Sequence, residues 1–182
     1  MHPMLSSKDW LIEETSFDLG EANFKETIFT VGNGYLGTRG SLEEGHKGEL
    51  SGTYLAGVYD HYDSTVIDQV NSPTWLPFKV RVEGRLLSVQ TCQIVKHRRV
   101  LDLQTGFLHR ETLFEESNGR RTRIESVRFA SYADQHICGI RLTVTPENHS
   151  SEISVESTLD AERYNLDRLP AYQVRIPGHP AT

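Results

Sequence analysis

The residues with the strongest potential for chemistry lie in one glycine-rich segment, residues 30–40. Gly32, Gly34 and Gly37 match G-x-G-x-x-G, a spacing typical of loops that bind the phosphates of dinucleotides. Such a loop requires a helix that begins at the third glycine, because the helix N-terminus holds the pyrophosphate. An ordinary helix is excluded because too many further glycines follow. They are Gly40, Gly45, Gly48 and Gly52.

Two interpretations of this segment stay open. In the structural one, the glycines make tight turns and close layer contacts, and Arg39 pairs with a carboxylate such as Glu26. In the functional one, a stiff loop turns polar side chains toward a groove, as a substrate mouth or domain interface. The structural glycines are Gly32, Gly34, Gly37 and Gly40, and the candidate site residues are Asn33, Tyr35, Arg39 and Trp75. Trp75 belongs here because its flat ring can stack on a sugar.

Other groups capable of chemistry give weaker patterns. Carboxylate doublets occur at Glu13-Glu14, Glu43-Glu44 and Glu115-Glu116. Neighbours on a strand point to opposite faces, so we expect these doublets at solvated turns or edges, and no residue is predicted to be catalytic. The run His97-Arg98-Arg99 is likewise expected to face solvent. None of the eight histidines has a zinc-motif spacing, so no metal site is predicted.

The elements that must position these residues read mainly as strands. Alternating runs Phe78–Val82 and 85–89 flank Glu83-Gly84, which predicts a hairpin. A second hairpin is predicted where 108–116 meets 120–131 across Asn118-Gly119, and alternation continues over 140–145 and 153–155.

Two irregularities are also predicted. In 120–131, Ile124 has even parity, whereas Val127 and Phe129 have odd parity, so a bulge is expected near Glu125-Ser126. The best helix candidate is short, around residues 17–25. Successive strands with few helices predict an all-β fold, an antiparallel sandwich.

Composition limits the classes of function. The chain has 182 residues, with 19 Lys and Arg against 25 Asp and Glu, for a net charge of −6. This argues against nucleic-acid and membrane-surface binding, which need clustered positive charge. Cys92 and Cys138 are the two cysteines, so no disulfide framework is expected. Both are read as small buried residues, and a reducing, cytoplasmic location is predicted.

Several segments resemble one enzyme family in order. The segment Phe29–Gly40 resembles the signature of the N-terminal domain of glycoside hydrolase family 65, which includes maltose, trehalose and kojibiose phosphorylases and acid trehalases. Further blocks agree with the same domain. They are Gly52–Asp60, Val70–Trp75, Arg99–Arg110, and the start around Trp10, Glu13, Glu14 and Phe17.

The resemblance implies a large antiparallel super-sandwich, with its core at about 10–157 and residues 158–182 as a tail, linker or incomplete strands. In this family a separate (α/α)6 barrel of the same chain carries the catalytic residues. The barrel cleaves an α-linked glucose disaccharide with inversion, by phosphate or by water. We therefore expect an inactive piece of a longer enzyme, ending before its barrel and truncated within its own domain. No cofactor is expected beyond phosphate as co-substrate.

Two rival functions remain from the sequence. One is a free-standing carbohydrate-binding or lectin-like module, which needs an exposed aromatic platform. The other is a structural or dimerisation domain, which needs a large apolar patch on one sheet face, and a homodimer is one arrangement of it.

Overall fold

The computed structural model describes residues 7–60 and 67–162. In these ranges the chain forms thirteen strands, one short α-helix and two 3-10 turns. The strands are β1 (Leu11–Glu14), β2 (Val31–Gly32), β3 (Leu36–Thr38), β4 (Thr53–Leu55), β5 (Tyr59–Asp60), β6 (Asp68–Gln69), β7 (Phe78–Val82), β8 (Arg85–Leu86), β9 (Gln93–Asp102), β10 (Phe107–Glu115), β11 (Arg121–Ala130), β12 (Cys138–Pro146) and β13 (Ile153–Ser157). The helix is α1 (Ala22–Ile28), and the 3-10 turns are Ser7–Trp10 and Leu19–Glu21.

The strands form four antiparallel sheets. The largest has five strands in the order β1-β9-β10-β11-β12. A three-stranded sheet has the order β13-β7-β8, another has β2-β3-β4, and β5 pairs with β6. The predicted all-β class is confirmed. No helix in the described ranges is long and apolar enough to span a bilayer.

A hydrophobic core joins two of these sheets face to face. Val80, Val82 and Leu87, from β7 and the segment after β8, contact Phe114 and Ile124 of the five-stranded sheet. All five side chains are at most 2 % exposed. Burial of each such side chain contributes about 1.5–3 kcal/mol of transfer free energy. This apolar contact packs the two sheets face to face, as in the predicted sandwich.

A second cluster brings the glycine-rich segment onto the same sheet. Phe29 and Val31 pack with Leu101 of β9 and Leu108 of β10. The segment after α1 is therefore anchored on the inner face of the five-stranded sheet.

Both predicted hairpins are confirmed. The β7–β8 turn has positive φ at Glu83 (47°) and Gly84 (76°), as a two-residue type I′ turn requires. Strand β8 ends at Leu86, before the predicted end at residue 89. The β10–β11 turn uses Gly119 at φ 81°.

The predicted bulge near Glu125-Ser126 is wrong. Pairing of β10 with β11 runs without a break from Leu108–Arg128 to Glu115–Arg121. The even-parity side chains Ser126 and Arg128 are buried inside the sandwich, while Val127 and Phe129 lie on the outer face. The register shift occurs instead between β9 and β10, at Leu113 and Phe114.

The predicted helix is displaced toward the C-terminus. Asp18 accepts a hydrogen bond from the Gly20 amide at 2.8 Å, which starts a 3-10 turn rather than an α-helix. The α-helix then runs from Ala22 to Ile28, past the predicted end. Of the predicted tail, residues 163–182 lie outside the described ranges, while Thr158 and Asp160 still donate backbone hydrogen bonds to Pro77 and Thr74.

Candidate functional site

The glycine-rich segment borders a shallow groove of about 390 Å³ on the β2-β3-β4 sheet. We call it the glycine groove. Its lining comes from β2, β3, β4 and β6, from the turn between β2 and β3, and from residues next to these strands. The lining residues are Thr30, Gly32, Gly34, Tyr35, Leu36, Gly37, Arg39, Tyr54, Ala56 and Gln69.

Two of the four candidate residues line this groove, Tyr35 and Arg39. The Arg39 Nη2 donates to the Asn23 carbonyl at 2.8 Å, and its Nε lies 3.6 Å from Glu26. The ion pair with Glu26 expected from the sequence is therefore present. Glu26 is also 3.2 Å from the His46 ring, and this hydrogen bond raises the pKa of His46, with burial opposing it.

Asn33 is directed away from the groove. Its Nδ2 donates to the carbonyls of Ser131 at 2.7 Å and Gln135 at 3.0 Å, on the loop after β11. Its Oδ1 accepts from the backbone amides of Tyr35 and Leu36. Asn33 therefore shapes the β2–β3 turn and ties it to a distant loop.

Trp75 also braces the structure. Its indole N–H donates to the Thr38 hydroxyl at 3.0 Å, and the side chain is half-buried. Asn33 and Trp75 therefore lie outside the lining of the groove, whereas Tyr35 and Arg39 belong to it.

The four glycines of the motif differ in what the fold requires of them. Gly34 has φ 89°, which suits glycine in the turn. A Cβ at Gly32 would lie 3.1 Å from the Leu36 carbonyl, and one at Gly40 would lie 2.6 Å from Phe29 Cβ. A Cβ at Gly37 would meet nothing within 4 Å.

Sequence reasoning missed a set of buried charges behind this segment, which we call the arginine clamp. Arg99, Arg110 and Arg128 lie on β9, β10 and β11 and are each at most 4 % exposed. Arg99 and Arg110 are direct cross-strand partners, as are Arg99 and Glu14. Like charges placed opposite each other repel unless carboxylates compensate them.

Carboxylates and carbonyls of the segment after Arg39 provide that compensation. Arg110 donates to Glu43 at 2.6 Å and, through two nitrogens, to Glu44 at 2.5 and 2.7 Å. Arg99 donates to the Gly40 carbonyl at 2.9 Å, and Arg128 donates to the Ser41 carbonyl at 2.8 Å. The clamp therefore fixes residues 40–44 against three neighbouring strands.

The electrostatics of the clamp are strongly coupled. Burial alone would raise the pKa of Glu43, but the charges of Arg110 and Arg128 outweigh it and lower the pKa to about 2. Burial lowers the pKa of Arg128 to about 10, against the attraction of Glu43. Burial also lowers the pKa of His97, which lies 3.4 Å from Glu14. Glu43 is therefore ionised at neutral pH.

Two expectations of surface exposure and one of burial are corrected here. Glu43 and Glu44 are buried by Arg110 instead of lying at a solvated turn, since both contact the same guanidinium. In the basic run, His97 and Arg99 are buried and Arg98 alone is exposed. Cys92 and Cys138 are half-buried free thiols.

The clamp is a structural feature more than a reactive one. Its charges neutralise one another in pairs and satisfy backbone carbonyls. Within the described ranges, no three His, Cys, Asp or Glu side chains are grouped as metal ligands.

Comparison with known proteins decides the family. The sequence profile described as "Glycosyl hydrolase family 65, N-terminal domain" matches residues 12–177. This chain belongs to glycosyl hydrolase family 65. The family 65 resemblance seen in the sequence is therefore confirmed.

Curated relatives of this family 65 chain are longer enzymes. It is 40 % identical over 172 residues to kojibiose phosphorylase from Thermoanaerobacter brockii, covering 94 % of this chain and 22 % of that enzyme. It is 30 % identical over 183 residues to α,α-trehalose phosphorylase from the same organism, covering 91 % of this chain and 23 % of that enzyme. The chain thus spans under a quarter of these relatives, as their N-terminal part.

A solved structure shows the same fold. It is described as "Putative kojibiose phosphorylase from human microbiome", with a TM-score of 0.74 and 23 % identity. The match covers 85 % of this family 65 chain and 22 % of that one.

Proposed function

We propose that this chain is the non-catalytic N-terminal β-sandwich of a family 65 glycoside phosphorylase. In the whole enzyme, a phosphate oxygen attacks the anomeric carbon of an α-linked glucose disaccharide with inversion. The glycosidic C–O bond breaks, and its oxygen takes a proton from a general acid. The products are β-glucose 1-phosphate and a free sugar. The relatives named above are phosphorylases, which favours phosphate over water.

The work of this domain is to brace the catalytic barrel of the same chain and to hold the glycine groove in a fixed shape. One observation carries this proposal: Arg99, Arg110 and Arg128 fix residues 40–44 to the largest sheet. A segment tied to three strands by buried charges is far stiffer than an ordinary surface loop.

An apolar hollow of about 430 Å³ on the outer face of the five-stranded sheet supports the interface role. Its lining includes Phe107, Val127 and Phe129. Exposed apolar patches of this kind are typical of surfaces that pack against a partner. We propose the barrel as that partner. The alternative of a homodimer would use the same hollow.

Trp75 does not support the alternative of a free-standing sugar-binding module. Trp75, the aromatic residue expected to form its platform, is half-buried and bonded to Thr38. The free thiols of Cys92 and Cys138 support the proposed reducing, cytoplasmic location.

A chimera tests the proposed function. This chain replaces the matching N-terminal segment of the Thermoanaerobacter brockii kojibiose phosphorylase, and phosphate-dependent release of glucose 1-phosphate from kojibiose is measured. We expect the chimera to be active, because the sandwich supplies support and no catalytic group. The same enzyme without any N-terminal segment is the control and should lose activity.

Two outcomes would refute the proposal. One is a folded chimera without activity. The other is cleavage of kojibiose or trehalose by the 182-residue chain alone, which would mean that it carries catalytic groups itself.

A further inference from the structure

We propose that the glycine groove binds a glucosyl unit, a pyranose ring with neighbouring hydroxyl groups. The choice of a glucoside rests on the proposed function, whereas the shape and walls of the groove do not depend on it. Three independent features of the groove favour such a ring: an open floor, fixed aromatic walls and polar groups of both kinds.

The floor of the groove is open at Gly37. Gly37 lies in β3, paired with Gly32 and Tyr54. Its φ is outside the left-handed region, and a Cβ there would meet no atom within 4 Å. Among the described residues, neither the backbone nor the packing requires glycine at this position. What glycine leaves is room for a bound group to approach the strand closely.

The walls are aromatic and fixed. The Tyr54 ring is folded back over Gly52, where a Cβ would lie 2.7 Å from Tyr54 Cε2. The Tyr35 ring contacts the His136 ring edge to face, with the ring centroids 4.7 Å apart. A tyrosine ring offers a flat apolar face for the C–H face of a sugar and a hydroxyl for its rim. Walls held in advance reduce the entropy lost on binding.

The groove has both a donor and an acceptor. Arg39 is held by bonds of its amide to Gly52 and of its Nη2 to Asn23, and its Nε lies 3.6 Å from the Glu26 carboxylate. A guanidinium carries five N–H donors, so further donors remain for a ligand. Gln69 donates through Nε2 to the Leu55 carbonyl at 3.3 Å, and its amide oxygen can accept. Adjacent sugar hydroxyls both donate and accept, which suits this pair.

Filling the floor tests the site. Gly37→Val places a branched side chain in the groove, with no atom to clash at Cβ and a residue that suits strands. Binding of kojibiose and trehalose to the 182-residue chain is measured by calorimetry, with glycerol as a polyol that lacks the ring. We expect millimolar binding of the disaccharides, weakened about tenfold or more by Gly37→Val, as for a filled pocket.

Thr143→Val is the matched control, because Thr143 is an exposed strand residue outside the glycine groove. It should leave the binding unchanged. Gln69→Leu is a second variant at an exposed position, so it should fold and should also weaken binding.

The proposal is overturned if neither disaccharide binds, if glycerol binds equally well, or if a folded Gly37→Val or Gln69→Leu variant binds like the original. An active chimera together with absent sugar binding would reject this site and leave the proposed function standing.

Discussion

Glu43 is the residue on which most of the buried charge converges. Its carboxylate accepts from Arg110 at 2.6 Å and from the Ser126 hydroxyl at 2.6 Å, and it lies 3.8 Å from Arg128. Both arginines are inside the sandwich, where an unpaired charge is very costly. The stability of the clamp therefore depends on a charge carried by a segment outside the regular strands.

Replacing Glu43 by glutamine tests this dependence. Glu43→Gln keeps the side-chain size and removes the carboxylate charge next to Arg128, together with one of the two carboxylate charges next to Arg110. We expect the free energy of unfolding at pH 7 to fall by about 3–5 kcal/mol, the usual cost of breaking a buried ion pair. Urea unfolding measures this loss. Glu13→Gln is the control, because the exposed Glu13–Arg98 pair should contribute less than about 1 kcal/mol.

The same variant should change how the free energy of unfolding depends on pH. The folded-state pKa of Glu43 is about 2, below its usual value of 4.5, so its contribution is present above 4.5 and is lost as pH falls toward 2. Unfolding of the original chain should show a steep loss of stability in this window, and Glu43→Gln should flatten it. The role of Glu43 would be contradicted if stability depended equally on pH in the two proteins. It would also be contradicted if Glu43→Gln lowered the free energy of unfolding no more than Glu13→Gln does.

Single residues of this kind could be predicted only where their partner is near in sequence. The Arg39–Glu26 pair is predicted from the sequence, since Glu26 lies in α1 and Arg39 lies in the glycine-rich segment that follows it. Glu43 and Ser126 are 83 residues apart, so no local pattern marks either as buried. The expectation that charged doublets are solvated fails because the sheet supplies guanidinium groups that the sequence does not place.

At the level of elements, the β2–β3 turn is joined to the loop after β11 by Asn33. The amide group of Asn33 donates to Ser131 and Gln135 and accepts from the turn itself. One side chain thus shapes a turn and connects it to a loop about 100 residues away. The groove side of this turn carries Tyr35, so the position of that ring depends on the connection.

Changing Asn33 to aspartate separates these two tasks. Asn33→Asp keeps the acceptor for the turn amides and removes the donor to Ser131 and Gln135. We expect the free energy of unfolding to fall by about 1–3 kcal/mol, since two carbonyls lose their donor and face a carboxylate. Hydrogen exchange should become faster in residues 131–137 and stay slow at Leu36.

Asn148→Asp is the matched control for this change. Asn148 donates to the Gly119 carbonyl and accepts from the Arg121 amide in the same manner, but it is exposed. A smaller effect is expected there because water replaces the lost donor. The two separate roles of the Asn33 amide are refuted if both variants lower the free energy of unfolding equally. They are also refuted if the Leu36 amide exchanges faster in Asn33→Asp.

The hairpins could be predicted because their signals are local. Glu83-Gly84 and Asn118-Gly119 lie between alternating runs, and each pair forms a turn with a positive-φ glycine. The bulge prediction failed because it assumed that apolar residues of β11 face inward. In fact Ser126 and Arg128 are inside with the clamp, and Val127 and Phe129 line the outer hollow.

For the whole molecule, the five-stranded sheet is the part on which everything else rests. Its inner face holds the clamp and the Phe29 cluster at one end and the core with Val80, Val82 and Leu87 at the other. The alternating strands and the family resemblance both predicted this sandwich as a class. The division of its interior into an ionic half and an apolar half was not predictable, because it depends on contacts between sheets.

This arrangement predicts that the two sheets unfold together, and Phe114 tests it. Phe114 lies in β10, is fully buried, and contacts the β7 side of the core. Phe114→Ala should lower the free energy of unfolding by about 3–5 kcal/mol through lost burial and a cavity. Phe24→Ala, on α1 with 66 % exposure, is the control and should have little effect.

The decisive measurement is where hydrogen exchange changes. If apolar contacts join the sheets into one cooperative unit, Phe114→Ala should accelerate exchange about equally in β7 and in β10 and β11, because all of them open in one transition. If only β7, β8 and β13 lose protection, the ionic half holds the five-stranded sheet independently, and the sandwich consists of two units instead of one.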